Sequence, residues 1–111
     1  MANLRGADLT EANFERANLQ LANLQEANLQ GAELYGAELQ EANLQGASLQ
    51  RAHPKITNIA GTNLEGVNLV GAHHLSIEQL SKVKTLYNAK LDEELLIPLG
   101  EKYPTLFEKS N

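Results

Sequence analysis

At 111 residues, with aromatic residues at only 5%, this chain suits a single domain whose core is not built from bulky rings. Its formal net charge of −5 argues against a direct nucleic-acid surface, which would be basic, and permits a basic protein partner. The absence of cysteine excludes a disulfide framework, a thiolate metal site and a cysteine nucleophile.

The opening residues, Met1-Ala2-Asn3-Leu4-Arg5, carry neither the basic nor the apolar region of a signal peptide. No apolar run approaches the roughly 20 residues of a membrane span, so the expectation is a cytoplasmic protein without a membrane partner. From Ala2 the chain repeats in fives. Alanine occupies positions 2, 7, 12, 17, 22, 27, 32, 37, 42, 47 and 52 without a miss. Two residues after these stand Leu4, Leu9, Phe14, Leu19, Leu24, Leu29, Leu34, Leu39, Leu44 and Leu49, and the residue between is usually Asn or Asp, as at Asn3, Asp8, Asn13 and Asn18. The frame falters at Ala52-His53-Pro54-Lys55-Ile56, resumes unshifted with Thr57-Asn58-Ile59, Thr62-Asn63-Leu64 and Val67-Asn68-Leu69, and ends in a degenerate copy, Ala72-His73-His74.

A period of five fits neither regular element. On an α-helix, successive leucines would spread around the whole cylinder and leave no apolar stripe to bury. On a strand, an odd period would send them to opposite faces in turn. A bent chain resolves the conflict. In Ala-Asn-Leu the two apolar residues lie two apart, so a short extended piece turns both inward and the Asn outward. The remaining two residues turn a corner, and Gly often stands there, as in Gln30-Gly31 and Gln45-Gly46, because positive φ costs it little. With corners of about 90°, four pentads close a square, and coils stack at about 4.8 Å, giving just under four coils and a rod roughly 18 Å tall.

The run Ala-(Asn/Asp)-Leu-x-x from Ala2 to about His74 resembles the pentapeptide-repeat family, in particular its short cyanobacterial members, over about two thirds of the chain. The resemblance implies an all-β solenoid, the right-handed quadrilateral β-helix of that family; the handedness comes from the resemblance alone. The expected organisation is a β-helix over residues 1–75 and a C-terminal α-helical cap with its tail over 76–111. The core is expected to be a ladder of alternating Ala and Leu, centred on Ala22, Leu24, Ala27, Leu29, Ala32, Leu34, Ala37, Leu39, Ala42 and Leu44. Alanine is needed because a narrow square has no room for more.

Stacking sets residues twenty apart above one another, giving amide columns Gln20/Gln40, Gln25/Gln45, Gln30/Gln50 and Asn3/Asn23/Asn43/Asn63 that can bond along the stack. Pro54 stands where a core leucine belongs; since proline cannot donate to a ladder, the pentad is expected to bulge outward, with Ile56 turning in. From Ser76 the period changes. Ser76-Ile77-Glu78-Gln79 is a capping box, and Ile77, Leu80, Val83 and Leu86/Tyr87 continue at helical spacing to a stop at Asn88. Ala89-Lys90-Leu91-Asp92 resembles half a pentad, Asp92 is expected to cap a short helix from Glu93 to about Ile97 that Pro98 ends, and Tyr103-Pro104-Thr105-Leu106-Phe107 is expected to pack back before residues 108–111 fray. A solenoid needs such a cap to cover its last coil. The first coil has no visible cap, so the expectation is weak self-association through the exposed Leu4 and Leu9, or through the C-terminal helices, or a neighbouring domain that covers that end.

Little here points to chemistry. His53 and His73, twenty apart with Glu33 one coil further, could stand in one column, yet two exposed histidines are the expected outcome rather than a metal site. Ser48, Ser76, Ser81 and Ser110 lack a G-x-S-x-G context, and no phosphate-cradling Gly loop is present. No enzyme, cofactor or metal residue is expected. The first functional expectation is a structural or interaction module whose flat faces meet an unknown protein partner. The resemblance offers a second: some family members resemble B-DNA in size and charge and inhibit DNA gyrase. Here the repeats hold about eight acids against four bases, and a rod of roughly 18 Å covers only about five base pairs.

Overall fold

The computed structural model describes residues 2–109; the expected fraying of Ser110 and Asn111 lies outside it. One backbone turn makes the corners, and an Asn or Asp side chain props most of them. The Leu4 carbonyl accepts from the Ala7 N–H at 3.0 Å, with Gly6 between them at φ 67°, while the Asn3 Oδ1 accepts from the Arg5 N–H at 3.3 Å. A chain reversal with positive φ only at its third residue is a type II turn, and the Asn side chain props it from the preceding position. Corners recur every five residues to Gly71, and their left-handed residue is as often Glu11, Arg16 or Leu21 as glycine. Gly61 shows why glycine is favoured at some corners: a Cβ there would come within 3.0 Å of the Glu41 side chain in the coil below.

Parallel bridges join residues twenty apart, from Asn3↔Asn23 to Ser48↔Asn68, so four corners close one coil. Four sides follow, named here by their central residue in the first coil: Asn3, Asp8, Asn13 and Asn18. Asn23 illustrates the rung: its N–H donates to the Ala2 carbonyl at 2.8 Å and its carbonyl accepts from the Leu4 N–H at 2.7 Å. Each side contributes one bridging residue before the next corner. The structure is therefore β only in a minimal sense, and no side among the described residues lengthens into a continuous strand.

The ten central positions, Ala22, Leu24, Ala27, Leu29, Ala32, Leu34, Ala37, Leu39, Ala42 and Leu44, are each at most 2% exposed. Burying each leucine contributes on the order of 2 kcal/mol. Along the axis an apolar-lined void of about 20 Å³ is bounded by leucines, Pro54 and Thr57.

Pro54 does not bulge. It is buried in the leucine column, and Ile56 stays at its corner, 62% exposed with φ 53°. The bridge Glu33↔His53 persists on one side of it and the Thr57 N–H still reaches the Pro54 carbonyl at 3.0 Å. The proline is tolerated because its missing N–H would face only the last, departing copy around His73. His74 then turns out at φ 61° and Leu75 is buried instead.

The C-terminal segment departs from expectation in two places. The Ser76 capping box is present, but helix α1 is one turn, Ile77–Leu80. The chain then rejoins the ladder: Thr85 bridges Asn63, Lys90 bridges Asn68, and Ala89 closes a pentad turn onto Leu86 at 2.9 Å around Asn88 at φ 60°. Asn88 is thus a corner residue, and Val83 and Leu86, both buried, belong to a further part-coil and not to a helix. Helix α2, Glu93–Lys102, runs straight through Pro98. Leu95 and Leu99, on one face either side of the proline, pack on the core, and that burial offsets the lost backbone bond. Asp92 caps α2 without a side-chain bond, its Oδ2 accepting instead from the Gly71 N–H at 3.0 Å. The 3₁₀ turn Pro104–Phe107 packs back, the Leu106 carbonyl accepting from the Leu86 N–H at 2.7 Å.

Candidate functional site

An axis packed with leucine and alanine leaves the outer faces for function. On the Asn3 side the amide column forms as an oriented chain: Gln25 Nε2 donates to Gln45 Oε1 at 3.4 Å and Gln45 Nε2 to Glu65 Oε2 at 2.9 Å. Gln30 donates to Gln50 at 3.2 Å on the next side. The other expected columns do not form. Gln20 and Gln40 both turn to Glu38 Oε1, at 3.2 and 3.4 Å. The asparagine Oδ1 atoms accept from the backbone two residues on, as Asn23 does from Gln25 at 3.1 Å and Asn43 from Gln45 at 3.1 Å, because the local turn uses the acceptor first.

The Asn13 side differs from its neighbours. Its central column is Asn13, Glu33, His53 and His73. The His53 and His73 rings stack with centroids 4.8 Å apart and planes 11° from parallel, one rung height. Glu33 Oε1 lies 3.8 Å from His53 Nε2, both side chains about half exposed. Parallel rings aim their nitrogens side by side rather than at one point, and no cluster of three metal-ligating side chains occurs among the described residues. At the corner closing this side, Tyr35 is 36% exposed and Ile56, one coil higher, 62% exposed, with Lys55 above Tyr35. Ile56 also opens a groove of about 230 Å³ between residues 57–60 and the Glu78, Gln79 and Lys82 side chains of the α1 region. Gln79 holds that region down, its Nε2 donating to the Pro54 and Thr57 carbonyls at 3.0 Å each.

Sequence reasoning missed this patch, having turned Ile56 inward. The signal was available: Tyr35 and Ile56 are apolar residues in the two outward positions of the frame.

The serines serve structure. Ser76 caps α1, Ser81 Oγ donates to the Glu78 carbonyl at 2.7 Å, and Ser48 faces Gln50; Ser110 lies outside the described residues. The Asp8 carboxyl is held below its ordinary value, chiefly by the Thr10 hydroxyl at 2.6 Å and then by the Thr10 N–H. No helix among the described residues is long and apolar enough to cross a membrane.

Comparisons with known proteins place this geometry. No curated protein matches the sequence. A pentapeptide repeat protein from the Arabidopsis thaliana thylakoid lumen superposes with a TM-score of 0.68 at 24% identity, over 90% of this chain and 72% of its own. HetL, a pentapeptide repeat protein involved in heterocyst differentiation regulation in Nostoc sp. strain PCC 7120, gives 0.57 at 30% identity over 79% of this chain and 38% of its own. QnrB1, a plasmid-mediated fluoroquinolone resistance protein, gives 0.52 at 25% identity over 86% of this chain and 44% of its own. The chain thus spans less than half the length of HetL and of QnrB1. The family model for pentapeptide repeats matches in eight copies, over residues 2–40 and 37–73, and with that span covered the chain belongs to the pentapeptide-repeat family.

Proposed function

We propose that the chain is a non-enzymatic protein-interaction module that meets its partner through the Asn13 side. The observation that carries this is the exposure of Tyr35 and Ile56 at one corner beside the stacked His53 and His73; Leu21 and Val70 are also exposed, each at a corner of another side. Aromatic and branched side chains framed by polar ones are the usual anchors of protein interfaces. The coil, right-handed as family membership implies, acts as a rigid scaffold over residues 2–75 and the part-coil that ends at Lys90, and helix α2 with the 3₁₀ turn acts as its cap. The cytoplasm is the proposed compartment. Affinity capture with the wild type and with a Tyr35→Ser/Ile56→Ser variant tests the reading: a specific bound protein that the variant loses supports it, and an unchanged bound set overturns it.

A second reading, mimicry of DNA toward gyrase, draws on the net charge of −5 and the likeness to QnrB1. The placement of the acids weighs against it. In the central columns only Asp8, Glu33 and Glu38 are acidic, and they fall on three different sides. Inhibition of supercoiling by the purified protein would raise this reading above the first.

A further inference from the structure

The Asn13 side is divided by charge along one line. Each side presents its central residue and one residue at either flank. The first corner residue belongs to the side it follows, as Gln40 shows by donating to Glu38 and Ser48 by donating to Gln50. The second belongs to the side it precedes, as Ile56 shows by opening onto residues 57–60. On the Asn13 side the two lower rungs therefore present Glu11, Glu15 and Glu33, and the third presents Arg51, His53 and Lys55. All six are exposed or half-exposed, and of them only Glu33 and His53 come within ion-pair distance of an opposite group, at 3.8 Å, among the described residues. The upper part is free of acid: residues 42–77 hold one, Glu65, at a corner that this side does not share. Above it Asp92 is tied to the Gly71 N–H.

We propose that this side binds a second copy of the same chain, face to face, about a twofold axis that lies in the face, perpendicular to the coil, between Glu33 and His53. The proposal rests on the Asn13 side being the interface and names its occupant. Two copies so related meet at positions mirrored across that line, and each contact occurs twice. Glu33 meets the partner's His53, and His53 the partner's Glu33. Glu11 leans up, its Cγ 3.1 Å from where a Gly31 Cβ would stand, and Arg51 leans up likewise against Gly71 at 3.2 Å. Glu11 thus ends between the first and second rungs and Arg51 between the third and fourth, equally far from the line. Each Glu11 therefore meets the partner's Arg51.

The uncharged positions agree with this register. Lys55 faces the partner's Tyr35, and an ammonium group over an aromatic ring is favourable. Asn13 uses its Oδ1 on the Glu15 N–H at 2.9 Å, which leaves its NH₂ group for the partner's His73. Glu15 falls opposite the level of Leu75, which is buried, and stays in water. The other axis open to two facing sides runs along the coil. It would set Glu11 on the partner's Glu15, Arg51 on the partner's Lys55 and Glu33 on the partner's Glu33, like on like. Charge therefore selects antiparallel coils. Exposed ion pairs are weak singly and one side is a small interface, so the dimer is weak and exchanging.

Sedimentation velocity of the full chain at low salt, over a concentration series into the millimolar range, tests this. The wild type is expected to associate reversibly. Glu11→Arg sets two arginine pairs across the axis and Arg51→Glu sets two carboxylate pairs, and each is expected to weaken association by several-fold to about tenfold. Corners of this kind already hold Glu11, Arg16, Glu41 and Arg51, each at φ between 57° and 60°, so either exchange keeps the fold; unchanged circular dichroism and thermal midpoint verify it. Glu11→Arg/Arg51→Glu rebuilds both pairs at the wild-type net charge and is expected to regain association. A wild type that stays monomeric throughout overturns the proposal but not the choice of side, which the capture experiment tests separately. Association that neither single variant weakens, or that the double variant does not regain, overturns it as well.

Discussion

Replacing Leu44 by Ala tests the ladder at its centre. Leu44 is 1% exposed, with Leu24 below it and Leu64 above. Three carbons leave the core, a transfer loss of about 2.5 kcal/mol at about 0.8 per methylene. The neighbouring rungs are tied by backbone bonds and cannot collapse far, so a residual cavity adds about 1 kcal/mol, for a total of about 3.5 kcal/mol, within the range measured for buried leucines. Leu4 supplies the control: it heads the same column but is only half-buried, with one neighbouring coil instead of two. Leu4→Ala is expected to cost about 1 kcal/mol, since repeat stability is a sum over adjacent interfaces. Urea unfolding followed by circular dichroism, at low micromolar protein, reads both. Equal losses at the two sites would refute the stacked-coil account of stability.

Overpacking should be as informative as deletion. Ala27→Leu places a side chain where a 1%-exposed alanine sits in the narrow square, and a loss of about 1–3 kcal/mol in urea unfolding is expected. Ser76→Ala removes the hydroxyl that accepts from the Gln79 N–H and should lower stability by about 1 kcal/mol; no change would mean that α1 is held by Gln79 alone. Asp8 titrates below its ordinary value because Thr10 donates to the carboxylate twice. Its contribution is present above the unfolded carboxylate range and is lost as pH falls through the depressed folded value. Thr10→Val should return the Asp8 titration toward the ordinary value in a carboxyl-detected NMR series.

The repeat was legible because one constraint acts on every pentad: two inward residues two apart, then a corner. The cap was harder. Leu80, Val83 and Leu86 satisfy helical spacing, yet Leu86 and Leu91 are also five apart with Asn88 at a corner, and the ladder edge above Asn63 and Asn68 decided between the two. Periodicity alone cannot weigh an unpaired edge against helix propensity. Pro54 was misjudged for a related reason. A proline is costly only where a rung waits for its N–H, and the sequence does not reveal which rung is the last. At Pro98 the deciding quantity was the burial of Leu95 and Leu99, a tertiary fact that overrode the local rule. The candidate face was half legible: the His53/His73/Glu33 column follows from arithmetic, but the outward turn of Ile56 depended on Pro54 keeping its place.

The rungs also bear on how the chain reaches this structure. The repeat region holds no hairpin and no helix to form first; its stabilising bridges span twenty residues, a relative contact order of roughly 0.18 for 111 residues and typical of slow, millisecond-to-second folders. A lone coil has nothing to bond, so the nucleus must be two coils at once. Once that nucleus exists, each further pentad closes against a finished edge, and assembly becomes a one-dimensional growth whose rate depends on how quickly the first pair of coils is found.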